Sequence, residues 1–386
     1  MKKYYTRACN FTHGKKSINL VNKKINLPLR GNNKISFNEI EIISRNSKKT
    51  NLPLNGNKKI SFGQIEIHTR TSIKKIDLKD IKKLPKLLKE KINKDLKVIV
   101  KKNKNFSSLN FNKIPNIMGI LNLTPDSFSD GGKFNKKKKG ISHAKNLFKS
   151  GADIIDVGGE STRPGSKPVS KKEEWNRIKE ILKDVNKKIP LSLDTRKSEI
   201  MNKGIQLGVK LINDVSGLSY DPKTVEVLIK SKTPFVIQHS QGTPEKMQKN
   251  PKYKNELLDI YDFFEQKIKF LRSMGIKHNN IVIDPGIGFG KNLKHNMNLI
   301  RSISIFHTLG FPILLGLSRK RFIKDLSGKN DSKERLGGTV ASSMYAIMQG
   351  VQVLRIHDVN ELRQSIKIFK ELIKNWWQKN ILEQME

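Results

Sequence analysis

Residues 191–213 read LSLDTRKSEIMNKGIQLGVKLIN, two short apolar runs that stop at Asp194 and Asn213, residues 19 positions apart. That interval holds one helix between two strands. Working outward, the same unit recurs at Ile117–Asn122, Ile154–Asp156, Phe235–His239, Ile281–Asp284, Ile313–Lys320 and Val353–His357. Together with Leu191–Asp194 and Leu211–Asn213 they make eight runs, which predicts an α/β fold, a (β/α)8 TIM barrel. In such a barrel the C-terminal strand ends converge on one mouth. Asn122, Asp156, Asp194, Asn213, His239, Asp284, Lys320, Arg355 and His357 would gather there. A core built for stability alone does not end strand after strand in carboxylates, amides and bases, so this rim is expected to be an enzyme site.

The chain has 386 residues, which suits a barrel of about 250 residues plus an appendage. The expected division is an accessory region at 1–105 and a catalytic barrel at 106–380. Lys and Arg number 76 against 35 Asp and Glu, a net charge of +41. A basic nucleic-acid-binding protein is one reading of that charge. Lysines are spread over helices and loops alike, without the interleaved aromatics of a single-strand platform, which points instead to a general compositional bias. A positive field would still draw anionic substrates inward. The single cysteine, Cys9, excludes an intramolecular disulfide and multi-cysteine metal sites, and a reducing cytoplasm is the expected compartment. No apolar run approaches the ~18 residues of a membrane span.

A tandem repeat lies near the front. NLPLRGNNKISFNEIEIISR (26–45) and NLPLNGNKKISFGQIEIHTR (51–70) match at 14 of 20 positions. Each has a Pro, a Gly-Asn turn and an alternating tail, the marks of a turn and a strand or hairpin. Two copies are too few for a solenoid. Residues 77–94 then predict a helix interrupted near Pro85, and residues 106–116 a short hairpin plugging the barrel floor.

Two loops carry the strongest chemical signals. LNLTPDSFSDGG (121–132) reads as a mobile, hydrogen-bonding loop. DVGGESTRPGSKP (156–168) offers Thr162, Arg163 and Gly165 around an oxyanion, with Arg163 supplying a planar fork. With SLDTRKSEI, LINDVSGL, DPGIGFGK, GLSRKRF and LRIHDV following in order, the chain from 117 to about 368 resembles the dihydropteroate synthases. Gln238 and Ser240 stand where that family commonly carries Met.

The resemblance implies a pterin-binding barrel that joins 7,8-dihydropterin-6-ylmethyl diphosphate to 4-aminobenzoate, releases pyrophosphate, uses Mg2+ and forms a homodimer. The residues suit that chemistry. The 2-amino/N3 edge of a pterin can donate twice to a carboxylate, and Asp284 is the candidate. Lys320 would donate to the neighbouring oxo group, Asn213 would pair the remaining ring edge, and Asp194 would lie near the electron-poor part. Arg355 and His357, two apart on one strand, share a face and would clamp the diphosphate with Thr162 and Arg163. Asn122 would add an oxygen to Mg2+, which keeps several waters. Arg321 and helix N–H groups after Lys320 would receive the aminobenzoate carboxylate, with Phe128, Pro164 and Phe289 walling its ring. Asp156 and Glu160 are expected to satisfy backbone N–H groups and orient the second loop rather than touch substrate. A methyltetrahydrofolate-binding methyltransferase domain is the nearest rival, but it has no use for Arg163, Arg355 and His357.

Overall fold

The computed structural model describes residues 4–44, 53–54, 57–61, 73–101, 103–106, 108–111, 115–124, 136–161, 165–185, 188–242 and 246–382. They fall into two compact units, Met1–Lys102 with Ser304–Gly310, and Asn103–Ile303 with Phe311–Glu386.

The first unit runs β1 (Tyr4–His13), α1 (Gly14–Asn22), β2 (Leu27–Leu29), β3 (Asn32–Ser44), β4 (Pro53–Leu54), β5 (Asn57–Ser61), β6 (Ile73–Asp77) and α2 (Lys86–Val100). The long alternating tail of the first repeat copy becomes β3, which pairs antiparallel with β1, β2 and β6. Arg30 and Gly31, at φ 52 and 69, supply the left-handed turn between β2 and β3. The second copy makes the same hairpin start: Pro53 faces Ser61 and Leu54 faces Asn57, as Pro28 faces Ser36 and Leu29 faces Asn32. Residues 51–52, 55–56 and 62–70 of that copy lie outside the described residues. The interruption expected near Pro85 within the 77–94 helix is present, with a 3-10 segment before it and the α-helix after it. Strand β6 and a 3-10 turn at Leu78–Lys83 precede Pro85, and the α-helix starts at Lys86. Proline lacks the N–H that a helix interior requires, so it stands just before the first turn, where that loss is harmless.

The second unit alternates strand and helix: β7 (Asn116–Asn122), α3 (Lys136–Lys149), β8 (Ile154–Gly158), α4 (Lys171–Val185), β9 (Leu191–Asp194), α5 (Ser198–Gln206), β10 (Leu211–Asp214), α6 (Thr224–Ser231), β11 (Phe235–Gln238), α7 (Glu256–Ser273), β12 (Ile281–Asp284), α8 (Leu293–Arg301), β13 (Leu314–Gly316), α9 (Arg321–Ser327), α10 (Leu336–Met348), β14 (Val353–Ile356) and α11 (Val359–Leu382). The eight strands are parallel in the order β12-β11-β10-β9-β8-β7-β14-β13. One parallel bridge, Ile283 to Ile313, joins the ends of that order and closes the barrel. The seventh strand is shorter than the apolar run 313–320. Its last residues leave the sheet in a turn where Arg319 takes φ 59.

Both barrel ends are filled by the same strands. At the floor, Met118, Ile154, Leu211, Val236, Val282, Leu314 and Val353 form one buried cluster with Leu109 and Phe111 of the lead-in segment. Phe106 and Leu109 make an antiparallel bridge, and the Phe106 ring packs edge-on against Phe111 at 5.1 Å. The expected plug is therefore present. Two residues further along five of these strands the side chains are polar: Asp156, Asn213, Gln238, Asp284 and Arg355.

Candidate active site

Register sets polar strand ends side by side on two pairs of neighbouring strands. Asn213 is opposite Asp194, Gln238 opposite Asp284, and Gly316 opposite Arg355. Arg355 bridges two carboxylates, its Nε donating to Asp156 Oδ2 at 2.6 Å and Nη2 to Asp194 Oδ2 at 2.7 Å. Asn213 Nδ2 donates to the same Asp156 oxygen at 2.9 Å. Asp156 thus holds Arg355 and Asn213 together. The backbone-satisfying role expected for it belongs to Glu160 alone, which accepts the Val169 N–H at 3.0 Å. A Cβ at Gly158 would lie 3.5 Å from both Asn122 Oδ1 and Asp194 Cβ, so Asn122 borders this cluster.

Several buried polar atoms at the rim are unspent. Asp156 Oδ1, Asn213 Oδ1 and Gln238 Nε2 have no hydrogen-bond partner among the described residues. Buried groups are ordinarily paired, so these three form a donor and acceptor surface ready for a polar ligand. Burial pushes the Asp194 carboxyl up; Arg355 opposes this and the adjacent Asp156 adds to it. For Arg355 burial works against the charge, but Asp156 and Asp194 outweigh it and raise its pKa.

Asp284 ends β12, and Lys320 follows β13, the neighbour of the strand that carries Arg355. Burial raises Asp284 to about 6 against the Gly286 N–H, which donates to Oδ1 at 2.8 Å, and against nearby Lys320. Burial likewise lowers Lys320 to about 8, with Asp284 opposing. The Lys320 ammonium lies 4.2 Å from the Phe289 ring centroid, within cation–π range. His357 Nδ1 is 2.9 Å from Ser318 Oγ, and the same hydroxyl accepts the His357 N–H at 3.2 Å. Arg319 donates from Nε to Asp358 at 3.0 Å, which ties the turn after β13 to the end of β14.

Arg321 opens α9 with an exposed side chain, 3.5 Å from Asp325 one turn on. Phe128, Thr162, Arg163 and Pro164 lie outside the described residues.

A second network went unread in the sequence. Glu160 Oε2 accepts from Arg196 Nε at 2.9 Å and Oε1 from Lys197 Nζ at 3.2 Å, while Lys197 also reaches Glu174 at 2.5 Å. Burial works against the Glu160 charge, yet the Arg196 and Val169 hydrogen bonds and Lys197 hold its pKa below the usual range. Arg196 further caps the Tyr220 ring at 3.9 Å. These groups brace the roots of the second and third barrel loops. Their partners lie 36 and 23 residues apart, with no local period that would reveal them.

Residues 118–357 match the family model described as pterin binding enzyme, and the chain belongs to that family. The dihydropteroate synthase of Neisseria meningitidis serogroup B is 42% identical over 265 residues, 67% of this chain and 93% of its own. That of Escherichia coli K12 is 40% identical over 256 residues, 66% and 90% respectively. Among solved structures, Yersinia pestis dihydropteroate synthase with a sulfonamide drug gives a TM-score of 0.65 at 38% identity, covering 70% of this chain and 96% of that one. The Xanthomonas albilineans enzyme in complex with 7,8-dihydropteroate gives 0.62 at 32% identity, covering 68% and 95%. Within the pterin-binding family, this chain sits with the dihydropteroate synthases.

Proposed function

We infer that this protein condenses 7,8-dihydropterin-6-ylmethyl diphosphate with 4-aminobenzoate, giving 7,8-dihydropteroate and pyrophosphate in folate biosynthesis. The observation that carries the reading is the barrel rim. It joins a buried carboxylate, Asp284, and the half-buried Lys320 to an Asp156–Arg355–Asp194 cluster flanked by unspent acceptors on Asn213 and Asp156.

Asp284 accepts the pterin 2-amino/N3 edge in bidentate fashion, and Lys320 donates to the adjoining oxo group. Asn213 Oδ1, and Gln238 Nε2 where relatives commonly have Met, pair with the remaining heteroatoms. Arg355 and His357, with Thr162 and Arg163, receive the diphosphate. As the methylene C–O bond breaks, its electron pair leaves with pyrophosphate and a pterin methylene cation remains. Asp194 lies beside that cation and stabilises its charge. The aminobenzoate nitrogen then forms the new C–N bond and gives up one proton to pyrophosphate or water. Phe289, Phe128 and Pro164 wall the benzoate ring, and Arg321 answers its carboxylate. No covalent enzyme intermediate is needed.

Asn122 suits Mg2+, a hard ion satisfied by one or two protein oxygens plus phosphate and water. No group of three or more His, Cys, Asp or Glu that could hold a metal ion occurs among the described residues. When bound, Mg2+ neutralises charge on the leaving group. A homodimer through the last helices is supported by Tyr345 and Met348 of α10 and Ile368 and Leu372 of α11, all between 42% and 61% exposed. No helix among the described residues is long and apolar enough to cross a membrane. We assign the protein to the cytoplasm on its single cysteine and its substrates.

Purified protein, the pterin diphosphate, 4-aminobenzoate and Mg2+ test the assignment together. Pyrophosphate release that depends on 4-aminobenzoate is expected. Absence of that dependence rejects the synthase reading.

A further inference from the structure

One buried lysine at the rim has no part in the reaction above. Lys291 is 2% exposed. Its ammonium lies 3.0 Å from His239 Nδ1, 2.9 Å from the Phe289 carbonyl and 3.4 Å from the His239 carbonyl. All three acceptors are neutral, an expensive setting for a buried cation. Burial lowers Lys291 to about 7, and Asp284 is the nearby charge that opposes this and favours the cation. For Nδ1 to accept, His239 must be neutral with its proton on Nε2. Burial first, and Lys291 second, hold His239 well below the usual histidine range. The imidazole also packs edge-on against Phe263 at 4.9 Å, which fixes its plane.

The loop joined by this lysine has little freedom. Gly286 sits at φ 70, and a Cβ there would come within 2.0 Å of the His239 carbonyl. Gly290, at φ 62, approaches the Gln241 carbonyl, where a Cβ would lie at 2.6 Å. Backbone therefore lies directly on backbone between residues 286–290 and 239–241. Tyr253 OH adds a hydrogen bond to the Gly290 carbonyl at 2.8 Å. From this loop Gly286 supplies the N–H that orients Asp284, and Phe289 supplies the ring beside Lys320.

We propose that Lys291 is a positioning residue for pterin recognition: by linking His239 to Phe289 it fixes the loop that aims Asp284 and Lys320 at the ring edge. The proposal rests on the pterin-binding assignment above, and it gives His239 a use as the acceptor of that link rather than as a base or metal ligand.

The test is Lys291→Met in the full chain. Titration calorimetry would measure 6-hydroxymethylpterin, which lacks phosphates, and inorganic pyrophosphate with Mg2+; steady-state kinetics would separate KM from kcat. The Kd for the pterin and the KM for the pterin diphosphate should each rise about tenfold or more, the scale of one lost charge-assisted hydrogen bond. Pyrophosphate affinity should stay within about twofold, and Lys291→Arg should recover part of the loss. Unchanged pterin affinity overturns the proposal, as does parallel loss of pterin and pyrophosphate affinity, the mark of general disruption. Should Lys291→Met fail to fold, His239→Phe keeps the ring packing and removes Nδ1. It should shift pterin affinity the same way by a smaller factor, and no shift in the folded variant is equally fatal. If the unaltered protein binds no pterin, the family reaction itself is rejected, a result distinct from these.

Discussion

The floor and the mouth of the barrel are built by the same eight strands, one layer of side chains apart, and they obey opposite rules. At the floor, Leu109 and Phe111 complete an apolar cluster. One buried amide there, Asn116, spends both ends, on the Asn110 N–H and on the Asn110 and Gln352 carbonyls, whereas Gln352 spends its Oε1 on the Ile313 N–H and leaves Nε2 without a partner among the described residues. At the mouth, Asp284, Lys291 and Asp194 are 4%, 2% and 5% exposed, and Asn213 Oδ1 and Asp156 Oδ1 are unspent. Unspent polar atoms occur at both ends, but the mouth is where buried ionisable groups gather for a ligand to pair. Proteins commonly accept such a stability cost at their working sites.

The sharpest way to break the comparison is Asp284→Asn. Pterin affinity should fall on the order of 100-fold or more, since a paired charge is lost at a buried contact. The same change should stabilise the ligand-free protein by on the order of 1–3 kcal/mol, as read by denaturant titration near pH 7. The sign follows from the proton. Burial raises Asp284 from 3.8 to about 6, so the folded state binds more protons than the unfolded state between those values. Stability is therefore lost as pH rises through that window, and a neutral amide escapes the loss. A destabilised apo variant would mean that the buried charge at the mouth carries no such cost.

Next in size is Arg355→Ala. It leaves Asp156 and Asp194 buried without their shared cation, so stability should drop by about 3–5 kcal/mol. KM for the diphosphate substrate should rise by roughly tenfold or more, with a much smaller effect on a pterin that lacks phosphates. Equal losses for both ligands would remove the phosphate role.

A milder probe is pH. Asp284 must be charged and Lys320 protonated to meet the pterin edge, at about 6 and about 8 respectively. Accordingly kcat/KM for the pterin substrate should climb as pH passes about 6 and decline above about 8. In Asp284→Asn the acid limb should vanish from whatever rate remains.

The smallest kinetic effect is expected at the floor. Phe111→Ala should cost about 3–5 kcal/mol in stability yet leave KM for both substrates unchanged at a temperature where the variant is folded. A raised KM would show that floor and mouth are coupled.

The barrel was legible because each strand is a short apolar run bounded by polar residues, and strand ends follow directly from those bounds. Asp194, Asn213, Asp284 and Arg355 could be placed at one rim by counting alone. What counting missed depends on contacts distant in sequence. Lys291 is the last letter of a glycine-rich motif, and nothing local says that it reaches His239, 52 positions earlier. Arg196 and Lys197 follow Asp194 directly, but their purpose is visible only once Glu160 and Glu174 are beside them. The break at Pro85 was legible from the proline itself, whereas the 3-10 geometry of Leu78–Lys83 before it follows from the short span left between β6 and that proline.

The closing seam of the barrel carries a further meaning. Strands β12 and β13 meet through a single bridge, with the Ile283 N–H donating to the Pro312 carbonyl at 3.0 Å. Asp284 ends one of these strands, and Lys320 follows the other. A heterocycle gripped by both would act as a buckle across the weakest join in the ring. Occupancy would then tighten the whole cylinder from its least secured point, with slowed amide exchange at Ile313–Leu315 as the sign.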